Sequence, residues 1–406
     1  MDKVSSSGFK RPRLLAIGQG ARATGYARVF SNVLARLALD VDVTHFALNY
    51  DGPPIHRGYS VLPNLLPGDV FGRKQLPGLL ERLRPDVVLL CHDLPFYSVH
   101  KPVLDAYQDR HPRSVVVVYC PVEWASTVAG VFRTLAEADW LVFYTEFGRD
   151  VFRSAMALFG IEPRCRTAVV PHGVDTSRFR PLIEGDRDES ARAARAQLFP
   201  GREDLRDAFI VLNANRNSKR KRINLTLEIF AEFAKARRDA YLYLHMGMLD
   251  CGCDVLAIAA RLGIRDRLLL TTEDERKPEI DDERLNLIYN ACDVGINTST
   301  GEGWGLVAFE HAAAGAPQLM PAHSACQELW TGCGVLMPVH GGDEMLLDVA
   351  KAAAELEKLA ADPEDRRSLS ARHLEFARNP NFSWDFAAER WAALLCEALS
   401  RTMDAA

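Results

Sequence analysis

Hydrophobic positions along the chain come in two alternating textures. Short, almost unbroken apolar runs, LLAIG (14–18), DVVLLC (86–91), SVVVVYC (114–120), WLVFYT (140–145) and TAVVP (167–171), are bounded by Pro, Gly or charged residues. Runs of that kind predict strands buried on both faces, the condition of a parallel sheet covered by helices. Between LLAIG and the next strand, DVTHFAL (42–48), the stretch GYARVFSNVLARLA (25–38) places apolar residues at helical spacing. Strand, helix, strand is a βαβ opening.

A polar passage from about 176 to 206, containing IEGDRDESARAARAQ, then interrupts the alternation. Its Ala and Arg content favours a surface helix within a linker over disorder. The alternation restarts with AFIVLNAN (208–215), an amphipathic INLTLEIFAEFAKA (223–236), AYLYLHMG (240–247), DRLLLTT (266–272), DVGINTS (293–299) and PQLMP (317–321). No shorter repeat is visible, so the expected architecture is α/β, with two Rossmann-like doubly wound domains facing an interdomain cleft. The expected boundaries are 1–180 for the N-terminal domain, 181–205 for linker and surface helix, 206–383 for the C-terminal domain and 384–406 for a closing helix.

The length of 406 residues fits two such domains, and 48% hydrophobic with 25% charged residues describes a globular protein. A formal net charge of -5 argues against bulk attraction to nucleic acid or anionic lipid, so an anionic ligand has to be held locally. The start, MDKVSSSGFKRPR, has no apolar leader core, and no apolar run approaches the roughly 18 residues of a membrane span. The expectation is a cytoplasmic protein, with peripheral membrane contact left open. Nine cysteines without a CxxC pair fit reduced, mostly buried thiols, and the tight pair Cys251 and Cys253 lacks two further nearby metal ligands.

Open parallel sheets bind ligands beyond the carboxyl ends of their strands. Three segments follow strands there: GQGARATGY (18–26), NRNSKRKR (215–222) and TSTGEGWGLVAFEHAAAGAP (298–317). In the third, Gly303 and Gly305 bring backbone amides into the open at a helix N-terminus, where partial positive charge favours a phosphate. Glu302 and Glu310, with seven residues between them, then make sense as acceptors for the hydroxyls of two rings at the ends of a diphosphate. In the second, Arg216 and Lys221 suit two cations converging on that diphosphate. Each signal has a plain structural alternative: Glu310 as an ordinary helix acid, KRKR as a solvated basic face or targeting patch.

Together, NRNSKRKRINLTLEIF, GEGWGLVAFEHAAAGAP and PHGVDTSRFRP (171–181), with WDFAAERWAALLCEAL (384–399) closing the chain, resemble the retaining nucleotide-sugar glycosyltransferases of family 4 on the GT-B fold. The resemblance covers most of the chain. It implies an acceptor-side first domain, a nucleotide-sugar-binding second domain and a last helix that crosses back to the first. It implies that Glu302 holds donor-sugar hydroxyls and Glu310 the ribose, with Gly303, Trp304, Gly305, Leu306 and Val307 around the sugar and diphosphate. Arg216 and Lys221 would neutralise the leaving diphosphate, and Gly18, Gly20 and Gly25 would lie on the first-strand loop near donor and acceptor. GQGARATG is not a dinucleotide GxGxxG, however. Where the family often has a loop histidine this chain has Glu123, with His92 and Asp93 as further candidate sugar or acceptor contacts. His92 also reads as a satisfied, partly buried histidine. The usual paired glycines after PQLMP are replaced by His323, Ser324 and Ala325.

The resemblance further implies attack of the acceptor on the leaving-group face with retention, so that Glu302 orients rather than attacks; double displacement is the rival route. No cofactor is expected beyond the nucleotide-sugar substrate, and no metal, because the cations do the neutralising. The DVD at 40–42 sits at the start of a strand, on the wrong side for a metal-nucleotide grip. The acceptor is open among saccharide, lipid-linked glycan, natural product and protein; no nucleic acid is expected. Trp124, Phe96 and Tyr97 could form an aromatic sugar platform or pack in the core. A sugar-nucleotide epimerase, a phosphorylase and a non-catalytic nucleotide-sugar binding protein are the alternatives in function.

Overall fold

The computed structural model describes residues 11–20, 24–125, 129–276 and 278–404. The chain divides into two compact units. The first comprises the described residues of Met1–Pro121, Thr127–Pro171 and Trp384–Ala406, the second Val122–Ser126 and His172–Ser383.

The first unit is built on one sheet of eight strands: β1 (Arg13–Gly18), β2 (Asp42–Ala47), β3 (Ile55–His56), β4 (Ser60–Pro63), β5 (Val87–Cys91), β6 (Val115–Cys120), β7 (Trp140–Phe143) and β8 (Arg166–Val169). Their order is β3-β4-β2-β1-β5-β6-β7-β8, parallel except for the short antiparallel β3–β4 pair. Every residue of β5, β6 and β7 is buried, as their unbroken Val and Leu runs require of strands covered on both faces. Phe30, Val33 and Leu34 of the Gly25–Leu37 helix are buried too. The C-terminal helix Trp384–Asp404 belongs to this unit: Trp391 is fully buried with its ring edge-on to Tyr119 at 5.0 Å, and Asp385 pairs with Arg36 at 2.5 Å.

The second unit holds a parallel sheet of six strands: β9 (Phe209–Asn213), β10 (Ala240–Leu244), β11 (Leu268–Leu270), β12 (Val294–Ile296), β13 (Gln318–Pro321) and β14 (Val335–Met337), in the order β11-β10-β9-β12-β13-β14. Its core joins Val211, Leu242, Leu244, Val294 and Leu319 to Leu227, Ile229 and Phe230 of the Ile223–Ala234 helix. In both sheets the order reverses about one strand, β1 in the first and β9 in the second. The loops after β1 and β5, and those after β9 and β12, therefore diverge at a topological switch point.

Two expected boundaries are corrected. The break falls between Pro171 and His172, not after 180. Asn286 and Asn290 of the Asp282–Ala291 helix accept from the Arg180 and Leu182 amides, which stitches that segment to the second unit. Residues 181–205 hold the expected helix, Arg187–Leu198, but as part of the second unit and not as a linker. The Arg187–Leu198 helix, capped by Asp186, sends Arg187 to the Asn290 and Cys292 carbonyls and Arg195 to the Ala291 carbonyl. Those are the orphan carbonyls that any helix C-terminus leaves, and guanidinium groups suit its negative end. Arg195 also pairs with Asp293 at 2.6 Å.

Candidate active site

The sharpest constellation lies at the switch point of the second unit. β9 ends in Asn213, whose side-chain oxygen accepts from the Asn215 amide at 3.0 Å. Buried Asn217 then donates to the Gly247, Leu249 and Cys253 carbonyls and accepts from the Cys253 amide, anchoring the loop to the segment after β10. A single turn, Lys219–Lys221, and Arg222 in the left-handed region at φ 48 lead into the Ile223–Ala234 helix. Here the KRKR run is one wall of the site.

The opposite wall follows β12. Thr298 donates to the Lys221 carbonyl at 3.0 Å, and the Thr300 amide donates to the Arg220 carbonyl at 2.9 Å, so the two loops are sewn together. Glu302 is buried between them. Its Oε1 accepts from Lys221 Nζ, from Asn297 at 2.9 Å and from Ser299 at 3.3 Å; its Oε2 faces Arg220 Nη1 at 3.3 Å. Burial alone would push this carboxyl up, but Lys221 and Arg220, with the Lys221 and Asn297 hydrogen bonds, hold it down at about 2. Burial acts on Lys221 in the opposite sense and lowers it, partly offset by Glu302. Glu302 is thus a carboxylate at neutral pH, preorganised as an acceptor.

Ser324, His323 and Ala325 stand where the sequence comparison leads one to expect glycines. They support the Glu302 turn from below. Ser324 Oγ accepts from the Glu302 amide at 3.1 Å, the Ala325 amide donates to the Glu302 carbonyl, and His323 bridges Ser324 Oγ and the Ser299 carbonyl at 2.9 Å each.

The remaining predicted residues are spread more widely. Arg216 does not join the Lys221–Glu302 pair; it makes a two-pronged contact with Asp250, at 2.7 and 3.0 Å, and holds that acid below the ordinary carboxylate range. Gly303 is buried, and Gly305, at φ 95, sets the turn into the Leu306–Ala313 helix, which begins Leu306, Val307. A side chain at 305 would meet only Met320 at 3.9 Å, so this glycine is required by its backbone angle and not by space. The Trp304 ring stacks on Phe309 at 5.1 Å in an aromatic cluster, and its indole nitrogen has no hydrogen-bond partner among the described residues. Glu310 is buried on the same helix and accepts from the Tyr289 hydroxyl at 2.8 Å.

In the first unit, Gly18 and Gly20 mark close approaches. A side chain at 18 would come 2.8 Å from the Cys91 carbonyl, and one at 20 would come 2.5 Å from the His45 ring. Gly25 opens the first helix; residues 21–23 of GQGARATG lie outside the described residues. Tyr26 joins the next loop by stacking on His92 and donating to Asp93 at 2.5 Å. His92 also stacks on Phe96 at 4.6 Å, and Phe96 and Tyr97 are buried, so packing and not a sugar platform is their use; Trp124 is exposed. Asp42 of the DVD pairs in register with Arg13 at the amino end of the sheet, away from these loops. Glu123 belongs to the second unit and pairs with Arg220 at 2.8 Å.

Among the described residues no group of three or more His, Cys, Asp and Glu side chains is placed to hold a metal ion, and no helix is long and apolar enough to cross a membrane. Sequence reasoning passed over Arg220, Asn297 and Ser299, and noted Ser324 only as a departure from a glycine pattern. Asn297 and Ser299 lay in the strand end DVGINTS and could have been found by asking which polar groups would neighbour Glu302.

No family model matches the chain. It is 36% identical over 204 residues to a D-inositol 3-phosphate glycosyltransferase of Geodermatophilus obscurus, covering 48% of this chain and 40% of that protein. It is 30% identical over 283 residues to D-inositol 3-phosphate glycosyltransferase 1 of Catenulispora acidiphila, covering 67% of this chain and 60% of that one. The chain thus spans between 40% and 60% of the length of these curated relatives. Among solved structures, sucrose-phosphate synthase from Thermosynechococcus elongatus superposes with a TM-score of 0.73 at 19% identity, over 97% of this chain and all of that one. Anabaena HepE in complex with UDP-glucose superposes with a TM-score of 0.70 at 16% identity, over 95% and 99%. The two doubly wound units, each reversing its strand order about one central strand, are therefore those of the GT-B fold.

Proposed function

We propose that the chain is a retaining glycosyltransferase that moves a sugar from a nucleotide-diphosphate donor to an acceptor hydroxyl without a metal ion. One observation carries the reading: a buried, ionised Glu302, held by Lys221 and Arg220 at a switch point, beside the N-terminus of the Leu306–Ala313 helix. A carboxylate so held accepts hydrogen bonds from hydroxyls, and the helix amides beside it suit a phosphate. The named relatives are glycosyltransferases as well.

In this reading the donor's diphosphate lies over the start of the Leu306–Ala313 helix, with Glu302 on the sugar hydroxyls and Glu310 on the ribose. Cleavage of the sugar–phosphate bond leaves positive character at the anomeric carbon and negative charge on the diphosphate. Lys221 and Arg216 stabilise what grows, so they act more on turnover than on docking. The acceptor attacks from the leaving-group face, and a donor phosphate oxygen takes its proton. UDP sugars are the first donors to test, because a protein of this fold is known with UDP-glucose. A phosphorylated cyclitol is the first acceptor to test, because relatives are named for D-inositol 3-phosphate.

The test is a thermal-shift screen of UDP, GDP, ADP and TDP sugars followed by transfer assays with anomeric analysis of the product. A donor that stabilises the protein and gives a product of retained configuration is expected, with activity persisting in excess chelator. Inversion, or chelator-abolished activity restored by Mg2+ or Mn2+, would overturn the corresponding part. Binding without transfer or donor hydrolysis would make the protein a binder.

A further inference from the structure

Lys221, Asn297 and Ser299 all converge on Oε1 of Glu302, leaving the orientation of its Oε2 to another group. Arg220 is that group. One face of its guanidinium fork, Nη1, lies 3.3 Å from Oε2 and donates to the Gly301 carbonyl at 2.5 Å, while Nη2 lies 2.8 Å from Glu123 Oε1. Its own backbone carbonyl accepts from the Thr300 amide at 2.9 Å and lies 3.4 Å from the Thr300 hydroxyl. The guanidinium is therefore fixed at three places around the turn that carries Glu302.

Gly301 is shaped to the same arrangement. A side chain there would come 2.3 Å from the Glu123 carbonyl and 2.8 Å from the Trp124 ring, so only glycine lets Glu123 and Trp124 lie against the turn. A planar fork with donors at fixed angles can serve Glu302, Gly301 and Glu123 together; a lysine ammonium on a flexible stem cannot reproduce that geometry.

We propose that Arg220 is a positioning residue for sugar recognition: it fixes the Glu302 carboxylate, and Glu123 acts by fixing Arg220 instead of touching sugar or acceptor. The inference rests on the reading that Glu302 takes donor hydroxyls. It replaces the loop-histidine role considered for Glu123 with an anchoring one. Oriented by Arg220, the carboxylate presents its acceptor lone pairs in one direction, which matters for a sugar and not for the nucleoside diphosphate.

The experiment uses the full chain and calorimetry with two ligands: whichever of UDP-, GDP-, ADP- or TDP-glucose stabilises the wild type most, and the matching nucleoside diphosphate. Arg220→Gln is expected to weaken the sugar nucleotide at least fivefold and the diphosphate less than twofold. Arg220→Lys keeps the charge and is expected to show the same selective loss, which keeps the test open should the glutamine variant not fold. Glu123→Gln should act in the same direction more weakly and add nothing in the double variant. Equal weakening of both ligands, full affinity in folded Arg220→Gln and Arg220→Lys, or full additivity with Glu123→Gln each overturns the proposal while leaving the donor reading in place. A wild type that binds none of the four sugar nucleotides removes both.

Discussion

At the scale of single residues, Lys221 and Glu302 form a buried pair whose two members are not equivalent when removed. Lys221→Ala leaves a buried carboxylate with Arg220 as its remaining cation, and breaking such pairs costs about 3–5 kcal/mol when a charge is left unpaired. Arg220 moderates this, so a loss toward the lower end is expected. The folded pKa of Glu302, about 2, lies below the ordinary value of 4.5. Its ionisation therefore contributes stability that is complete above about pH 4.5 and lost as pH falls toward 2. In Lys221→Ala the folded pKa of Glu302 moves up toward its ordinary value, so the acid loss becomes smaller, which urea midpoints across the acid range would show; an unchanged acid limb sinks the coupling. Turnover should fall at least tenfold in both Lys221→Ala and Glu302→Ala, ~1.4 kcal/mol or more of transition-state stabilisation. Unchanged turnover in both folded variants removes the site assignment. Both residues were legible as site candidates because GEGWGL follows a strand and KRKR follows another, but their pairing was not: the sequence reading gave Lys221, with Arg216, to the diphosphate and Glu302 to the sugar. Arg220 was not legible, because adjacent residues in a basic run are indistinguishable until the backbone shows which one turns toward Gly301 and Glu302. His323 and Ser324 were visible only as departures from a glycine pattern; their hydrogen bonds to the Glu302 turn have no local sequence signal.

Among the elements, the Arg187–Leu198 helix shows how composition misleads. A helix with Arg at 187, 192 and 195 reads as solvent-exposed, yet its fully buried positions include Arg195, because the neighbouring helix end offers bare carbonyls and Asp293 offers a carboxylate. Asp293 also accepts from the Ile210 amide at 2.7 Å, so the pair ties the helix to the start of β12 and to β9. Arg195→Met, which preserves much of the apolar stem, should cost about 3–5 kcal/mol by leaving Asp293 without its paired cation and the Ala291 carbonyl without its donor. Arg367→Met removes a half-exposed partner of Asp188 and should cost at most ~1 kcal/mol. Chemical denaturation of the two variants measures the contrast; equal effects would show that the buried fork is no more than a surface pair. The closing helix, by comparison, was reached through the family resemblance of WDFAAERWAALLCEAL, and Trp391 and Trp384 are buried. Strands were the most legible elements of all, since an unbroken Val run such as 115–118 has no other comfortable place.

For the molecule as a whole, the alternation of strand and helix gave both doubly wound units, while the division between them did not follow composition: the polar passage belongs to the second unit because its side chains find partners there. The same burial that builds the two cores sets a whole-molecule response to acid. His45 in the first unit and His172, His311 and His373 in the second are buried, and burial pushes them to about 4, 3, 3 and 4 respectively, from an ordinary 6.5. Each is neutral in the folded chain and takes a proton on unfolding below pH 6.5. The unfolded state then binds more protons, so stability rises with pH across the interval from the folded to the unfolded value and is lost as pH falls through 6.5. Depressed carboxylates act only at lower pH, so the window from 7.5 to 5.5 belongs to the imidazoles, and His92, His100 and His323, which burial also lowers, add to these four in the same sense. Each contributes about 1.4 kcal/mol over that window, and four together on the order of 5 kcal/mol, a large part of an ordinary domain's stability. Urea unfolding at pH 7.5 and 5.5 should show that loss, with little change between pH 7.5 and 8.5; a difference under ~1 kcal/mol between 7.5 and 5.5 would mean that the four imidazoles are reached by water and protonate within the folded chain.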